Sequence, residues 1–171
     1  MTDKESLRPI EGANRRVRRR LGLKGEFLLA LGPTATVLVV LGLVEALTEQ
    51  RLLFASLASS AFLIYLDPQH GTNSVRTLIV AQMMAALIGL TTFTMFGGGY
   101  ISGGSAMVAT IIGMVLLDVV HPPAVSTAMA FALRAGDESN LVLFGLAVGV
   151  TAVLVVLERL ALWVIGRYRV R

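Results

Sequence analysis

A polar segment that contains two prolines interrupts the apolar sequence at residues 117–127, in a region otherwise long enough to cross a lipid bilayer. It carries the acid Asp118, the histidine His121 and the pair Pro122-Pro123. Charged and helix-breaking residues are costly in hydrocarbon, and irregular backbone is tolerated there only where it packs in protein or lines a cavity. The segment therefore predicts a broken helix that serves either a ligand site or a buried polar network.

The composition indicates an integral membrane protein and excludes a soluble domain. Of the 171 residues, 55% are hydrophobic, and a soluble chain of this size could not bury so much apolar surface. We expect an all-α polytopic fold of about six membrane segments within residues 27–165. A basic arm at residues 1–26 precedes them, and a short basic tail at residues 166–171 follows. The chain has no cysteine, which excludes disulfides and thiolate metal sites.

The charges at the two ends predict the topology. Both ends are basic, so both should lie in the cytoplasm of a multi-pass protein of the cell inner (plasma) membrane. We read the arginine run at residues 15–20 as a cytoplasmic flank that touches lipid rather than as a nucleic-acid surface. Two cytoplasmic ends require an even number of crossings, so the short apolar run at residues 124–133 must count as one. Its roughly ten helical residues rise only about 15 Å, so the break before it should lie inside the membrane.

The same break pattern occurs twice. Residues 66–70 (Leu-Asp-Pro-Gln-His) match residues 117–121 (Leu-Asp-Val-Val-His), and both histidines of the chain lie in this pattern. One span separates the two copies, so the helices before the breaks should run parallel, as in the parallel repeats of some transporters. We predict that the two breaks face each other. The glycine-rich residues 97–104 are read as an outer turn between span 3 and span 4, the latter at about residues 105–120.

Each break predicts an anion site. A helix that begins inside the protein presents free N–H groups and a partial positive charge. Prolines suit the first helical turn, and Asn and Ser are good N-caps. The candidate substrate-binding residues are His121, Pro122, Pro123, Ser126 and Thr127 at the second break, and His70, Thr72, Asn73, Ser74 and Arg76 at the first.

Asp67, Asp118 and Gln82 are assigned supporting roles. For the two aspartates the reason is that a carboxylate repels an anion. Asp118 lies one helical turn before His121 and could orient the imidazole ring or share its proton. Histidine changes charge near neutral pH, so proton transport by the histidines is open. The alternative is that both Asp-His pairs are structural.

Metal and enzyme chemistry are less favoured. Two His and two Asp could bind a metal by ligand type, but a helix N-terminus is a poor site for a cation. An enzyme that used the Asp-His pairs as acid and base would need a nucleophile or a metal, and no motif for either is present. We therefore expect no metal, no cofactor and no enzymatic activity.

Residues 118–124 (Asp-Val-Val-His-Pro-Pro-Ala), with Thr127-Ala128, resemble the signature of the HPP family of integral membrane proteins. Residues 68–76 and 85–89 are similar to an earlier segment of that family, and the resemblance covers about residues 27–165. Where many relatives have Gly-His, this chain has Ala81-Gln82, so the role of that histidine is not carried over. Where many have Gln-Pro-Arg, it has Ser-Val-Arg at residues 74–76.

The resemblance implies a substrate. Members of the family in cyanobacteria and plastids are associated with nitrite transport, so it implies a transporter of nitrite or a similar small anion. An anion channel for nitrate or formate, or a structural or regulatory membrane subunit, remains the alternative. Gly145-x-x-x-Gly149 is a helix-contact motif, from which we expect a homo-oligomer. Packing within the chain would explain the motif equally well.

Overall fold

The computed structural model describes residues 53–133 and 140–169, together with residues 31, 34, 35, 37–39 and 42. The basic arm, most of the first predicted span and the predicted loop after residue 133 lie outside the described residues. The elements of the described part are all helical: α1 (Leu53–Leu66), α2 (Val75–Phe96), α3 (Tyr100–Leu116), α4 (Pro123–Ala132), α5 (Asn140–Arg169) and a 3₁₀ turn at Gly71–Asn73. The prediction of an all-α polytopic membrane protein is confirmed.

Two of these helices have the length and hydropathy of membrane spans. They are Val75–Phe96, with a mean hydropathy of 1.8, and Val142–Trp163, with a mean hydropathy of 2.1. The other three are shorter apolar helices. Among them α4 has 10 residues, so it rises only about 15 Å. This is the half-span expected after His-Pro-Pro.

Local sequence chemistry sets the ends of the helices. Ser74 caps α2, where its Oγ accepts a hydrogen bond from the Thr77 N–H at 3.2 Å. Pro123 occupies the first turn of α4, where its missing N–H leaves no intrahelical hydrogen bond unmade. α2 ends at Gly97 with φ 73°, a left-handed conformation that glycine adopts without strain.

α3 differs from its predicted span at both ends. It begins at Tyr100, so the second half of the glycine-rich segment is helical rather than a turn. Gly103 lets this helical segment pack closely on Leu133, because a Cβ on Gly103 would lie 2.8 Å from the Leu133 side chain. α3 ends at Leu116 because Asp118 takes φ 52° and Val119 N–H donates back to the Met114 carbonyl at 3.0 Å. This is a Schellman-type helix end.

α2 and α4 form the centre of the bundle. α2 packs against α3, α4 and α5, and α4 also packs against α1 and α3. The two central helices approach closely at Gly89, where a Cβ would lie 2.4 Å from the Ala128 carbonyl oxygen. α1 and α3 end at the side where α2 and α4 begin, so both breaks lie at one end of the bundle.

Candidate functional site

The structure places the two breaks side by side. At their centre, Nδ1 of His121 lies 2.9 Å from the backbone oxygen of Thr72. Nearer the surface, an Arg76 Nη donates to the backbone oxygen of Leu117 at 3.3 Å. A buried imidazole and an exposed guanidinium thus join the break after α1 to the break after α3.

His121 is fully buried, and both of its ring nitrogens have partners. A carbonyl oxygen only accepts hydrogen bonds, so Nδ1 must carry the proton that it donates to Thr72. Nε2 lies 2.8 Å from the Ser60 Oγ, and in the neutral ring it accepts from that hydroxyl. Asp118 is exposed, and the hydrogen bonds that orient the ring come from Ser60 and Thr72, a role that the sequence had left open for the Asp118 carboxylate.

A second buried group lies one helical turn along α1 from Ser60. The Gln82 Nε2 donates to the Ser56 Oγ at 3.2 Å, and the Thr127 Oγ1 lies 2.6 Å from both the Ser56 Oγ and the Gln82 Oε1. Each hydroxyl has one proton. A consistent pattern is therefore a closed ring in which Gln82 donates to Ser56, Ser56 to Thr127, and Thr127 back to Gln82. We call these three side chains the polar ring.

His70 has different surroundings from its counterpart in the repeat. It is exposed, and its Nδ1 accepts from the Thr72 N–H at 3.3 Å and lies 2.9 Å from the Thr72 Oγ1. Thr72 therefore lies between the two histidines, with its side chain on His70 and its carbonyl on His121. The two copies of the pattern agree in their place between helices but differ in the role of the histidine.

Asn73 and Ser74 hold the first break closed. The Nδ2 of Asn73 donates to the carbonyls of Leu63, at 3.0 Å, and Asp67, at 2.7 Å. This leaves only the acceptor Oδ1, which is buried and has no hydrogen-bond partner among the described residues. Ser74 accepts from Thr77 as the N-cap. The carboxylate of Asp67 accepts from the Gln69 N–H at 3.2 Å.

The start of α4 lacks the free N–H groups that the sequence predicted. Pro122 and Pro123 have none, the Ala124 N–H donates to the His121 carbonyl at 2.9 Å, and the Val125 N–H donates to the Pro122 carbonyl at 3.1 Å. The first turn therefore uses its own donors. Among the second-break residues predicted to bind substrate, Pro122 is exposed, Pro123 is buried, Ser126 is half-buried, and Thr127 belongs to the polar ring.

Sequence reasoning missed Ser56 and Ser60, which it took for small packing residues. Their spacing of four places them on one face of α1, and their partners are polar residues already singled out. Within the described part of the chain, no three His, Asp or Glu side chains lie close enough together to hold a metal ion.

Comparison with known protein families gives a match over most of the chain. Residues 19–168 match the transmembrane region of the HPP family. No curated protein and no solved structure matches the chain.

Proposed function

The chain belongs to the HPP family, and from this premise we propose that it transports a small monovalent anion, nitrite first among the candidates, across the cell inner membrane. The observation that carries the proposal is the pairing of the two breaks beside a buried group of uncharged hydrogen-bonding side chains. Its members among the described residues are Ser56, Ser60, Gln82, His121 and Thr127.

The chemistry of this group suits an anion that only accepts hydrogen bonds. The hydroxyls of Ser56 and Thr127 and the amide of Gln82 each have a donor that can turn from the polar ring onto a ligand. Because no fixed charge is present in the ring, binding would be weak enough to allow release, as a transport site requires. Arg76, exposed above it, would raise the local concentration of anions at the entrance.

The breaks would open to the cytoplasm. The second half of α5 packs near them, because Leu154 shares a hydrophobic cluster with Ile64 and Leu78. The first half of α5 packs farther away, where Leu143 meets Phe131. The C-terminal end of α5 therefore lies on the break side of the membrane, and basic residues at the end of a span favour the cytoplasm.

A structural role is the second candidate. The hydrogen bonds of the polar ring are mutually satisfied, as in a network that only holds helices together. An enzymatic role is not proposed. The Ser60 hydroxyl lies 2.8 Å from the His121 ring, but the other ring nitrogen donates to the Thr72 carbonyl and not to a carboxylate that would support it as a base.

The test is nitrite flux into liposomes that contain the purified protein, with nitrate and formate as competitors. Replacing His121 removes the side chain that joins the breaks, so His121→Ala should lower the flux by about tenfold or more, a change of about 1.4 kcal/mol in the barrier. The matched control is His70→Ala, which removes an exposed histidine of the other break and should stay within about twofold.

The possible outcomes separate the two candidates. Equal flux in the parent and in His121→Ala would show that the breaks do not carry the anion. If the folded parent carries none of the three anions, the transport proposal is wrong and the structural role is favoured.

A further inference from the structure

The inner face of α3 is a continuous buried stripe. It consists of Ser102, Ala106, Thr110 and Met114, spaced four residues apart and all buried. The side chains packed around it are mostly alanines, namely Ala81 and Ala85 of α2 and Ala124, Ala128 and Ala132 of α4. α3 therefore faces a wall of small side chains along most of its length.

Two hydroxyls on this stripe have no hydrogen-bond partner among the described residues. They are the Oγ1 of Thr110, in a residue that is 0% exposed, and the Oγ of Ser102, in a residue that is 1% exposed. The buried threonines on other helices differ. Thr92 donates to the Gly89 carbonyl at 3.0 Å, and Thr151 donates to the Ala147 carbonyl at 2.7 Å.

The missing partners distinguish Thr110 and Ser102 from Thr92 and Thr151. A helical threonine can reach a carbonyl of its own preceding turn, and a buried hydroxyl that does not do so carries a free-energy penalty unless another molecule satisfies it. Thr110 and Ser102 lie eight residues apart, which is about 12 Å along the helix. The two hydroxyls therefore lie at two depths along the stripe on α3.

Near each end of the stripe, an apolar side chain lies against a glycine. Toward the breaks, a Cβ on Gly113 would lie 2.7 Å from the Sδ of Met84. At the far end, a Cβ on Gly103 would lie 2.8 Å from Leu133. The end of the stripe nearer the breaks also contacts the second break directly, because the backbone N–H of His121 points at the Sδ of Met114 at 3.4 Å.

We propose that the anion crosses the bilayer along this face of α3, with the Thr110 hydroxyl as its binding position between the two breaks and the far side. The inference rests on the proposed transport function and assigns it a route. Met84 over Gly113 and Leu133 over Gly103 are the two constrictions of the route. Small alanine side chains line this face of α3, and the hydroxyls can donate to a ligand with the acceptor chemistry of nitrite.

The first test uses the absence of cysteine from the chain. Thr110→Cys and its control Thr151→Cys each create a single thiol on a buried threonine position. In liposomes, the small anionic reagent 2-sulfonatoethyl methanethiosulfonate should modify Thr110→Cys, and added nitrite should slow that modification. Thr151→Cys should react at least about tenfold more slowly. Equally slow reaction at both positions would overturn the proposal.

The second test is nitrite flux. Thr110→Val keeps the shape and removes the hydroxyl, so flux should fall by about tenfold, while Thr110→Ser, which keeps the hydroxyl, should restore most of it. Thr151→Val is the control and should stay near the parent.

The two proposals fail in different ways. Full flux in Thr110→Val together with an unreactive Thr110→Cys overturns the route and leaves the transport function standing. A folded parent without flux overturns the transport function, and the labelling result still decides whether an anion enters this face of α3.

Discussion

At the scale of the residue, His121 is the junction of the site. Its ring contacts Ser60 of α1 and Thr72 of the first break, and its backbone N–H points at the Sδ of Met114 on α3. A neutral imidazole offers one donor and one acceptor on opposite sides of a rigid ring, which is what a hydroxyl on one side and a carbonyl on the other require. Any change in this ring therefore reaches both breaks together.

Asp118 adopts a left-handed backbone conformation, with φ 52°, at a helix end where glycine is the usual residue. Asp118→Gly and Asp118→Ala both remove the carboxylate and differ in how well they tolerate this φ. The glycine variant should be more stable than the alanine variant by about 1 kcal/mol. The measurement is the free energy of unfolding from titration with a denaturing detergent. Equal stabilities would mean that the conformation at Asp118 is not strained.

The sequence identified some residues of the site and misjudged others. Gln82, His121 and Thr127 could be found because polar residues in membrane segments are rare and need partners. Capping chemistry correctly placed Ser74, but the same local hydrogen bonding consumes the donors of Asn73 that were expected to bind an anion. The partners of the N–H groups after Pro122-Pro123 depend on the exact turn, which residue types do not reveal.

At the scale of the element, the contact between α2 and α4 positions the polar ring. The helices touch at Gly89, where a Cβ would lie 2.4 Å from a backbone oxygen and 2.6 Å from the Cβ of Phe131. Small residues allow such close approach in membranes, where packing drives helix association. This approach brings Gln82 and Thr127 within hydrogen-bond distance.

Gly89→Ala should therefore separate the two central helices. We expect a loss of about 1–3 kcal/mol in the free energy of unfolding, as for overpacked cores, together with reduced transport. Gly104→Ala is the matched control, since a Cβ there meets nothing within 4 Å. It should be neutral, or more stable by up to about 1 kcal/mol from helix propensity. A Gly89→Ala variant as stable as Gly104→Ala would show that the two helices can move apart at no cost.

How well the bounds of a helix could be predicted depended on the residues that end it. The bounds of α1 and α4 follow from the sequence because Asp-Pro and Pro-Pro stop and start helices locally. The predicted bounds of α3 lie about four residues too late in the chain, because Gly103 serves close packing against Leu133 rather than a turn. That packing partner lies thirty residues away from Gly103 in the chain, so no local signal could reveal it.

At the scale of the whole molecule, polarity changes from one end of the bundle to the other. Near the breaks lie His121 and the polar ring, and beyond Gln82 the same interface becomes an apolar cluster that includes Ala86, Phe131 and Leu143. An anion that reached the polar ring would therefore meet an apolar barrier between α2 and α4. The stripe on α3 provides unpartnered hydroxyls, whereas the buried Thr92 hydroxyl of α2 is bonded within its own helix, and for this reason the route is assigned to α3.

We propose that copies of the chain associate through the exposed face of α5. Gly145 and Gly149 are exposed, as is Ala152 on the same helix face. A Cβ at either glycine meets nothing within 4 Å. The contact motif is therefore not used for packing among the described residues, and small residues on an outer face let a second helix approach closely.

Gly149→Leu would place a branched side chain at the centre of that contact, so we expect it to convert an oligomer of the parent protein to monomers. The molar mass of the protein in detergent, measured by light scattering after gel filtration, reports the change. Gly104→Leu is the control, because Gly104 is also exposed on a helix, with nothing within 4 Å of a Cβ, but it lies on α3.

If both variants keep the mass of an oligomeric parent, copies associate through another face. If the parent itself is monomeric in detergent and in bilayers, each copy must contain a complete route. The stripe on α3 would supply that route, because its residues all come from one chain.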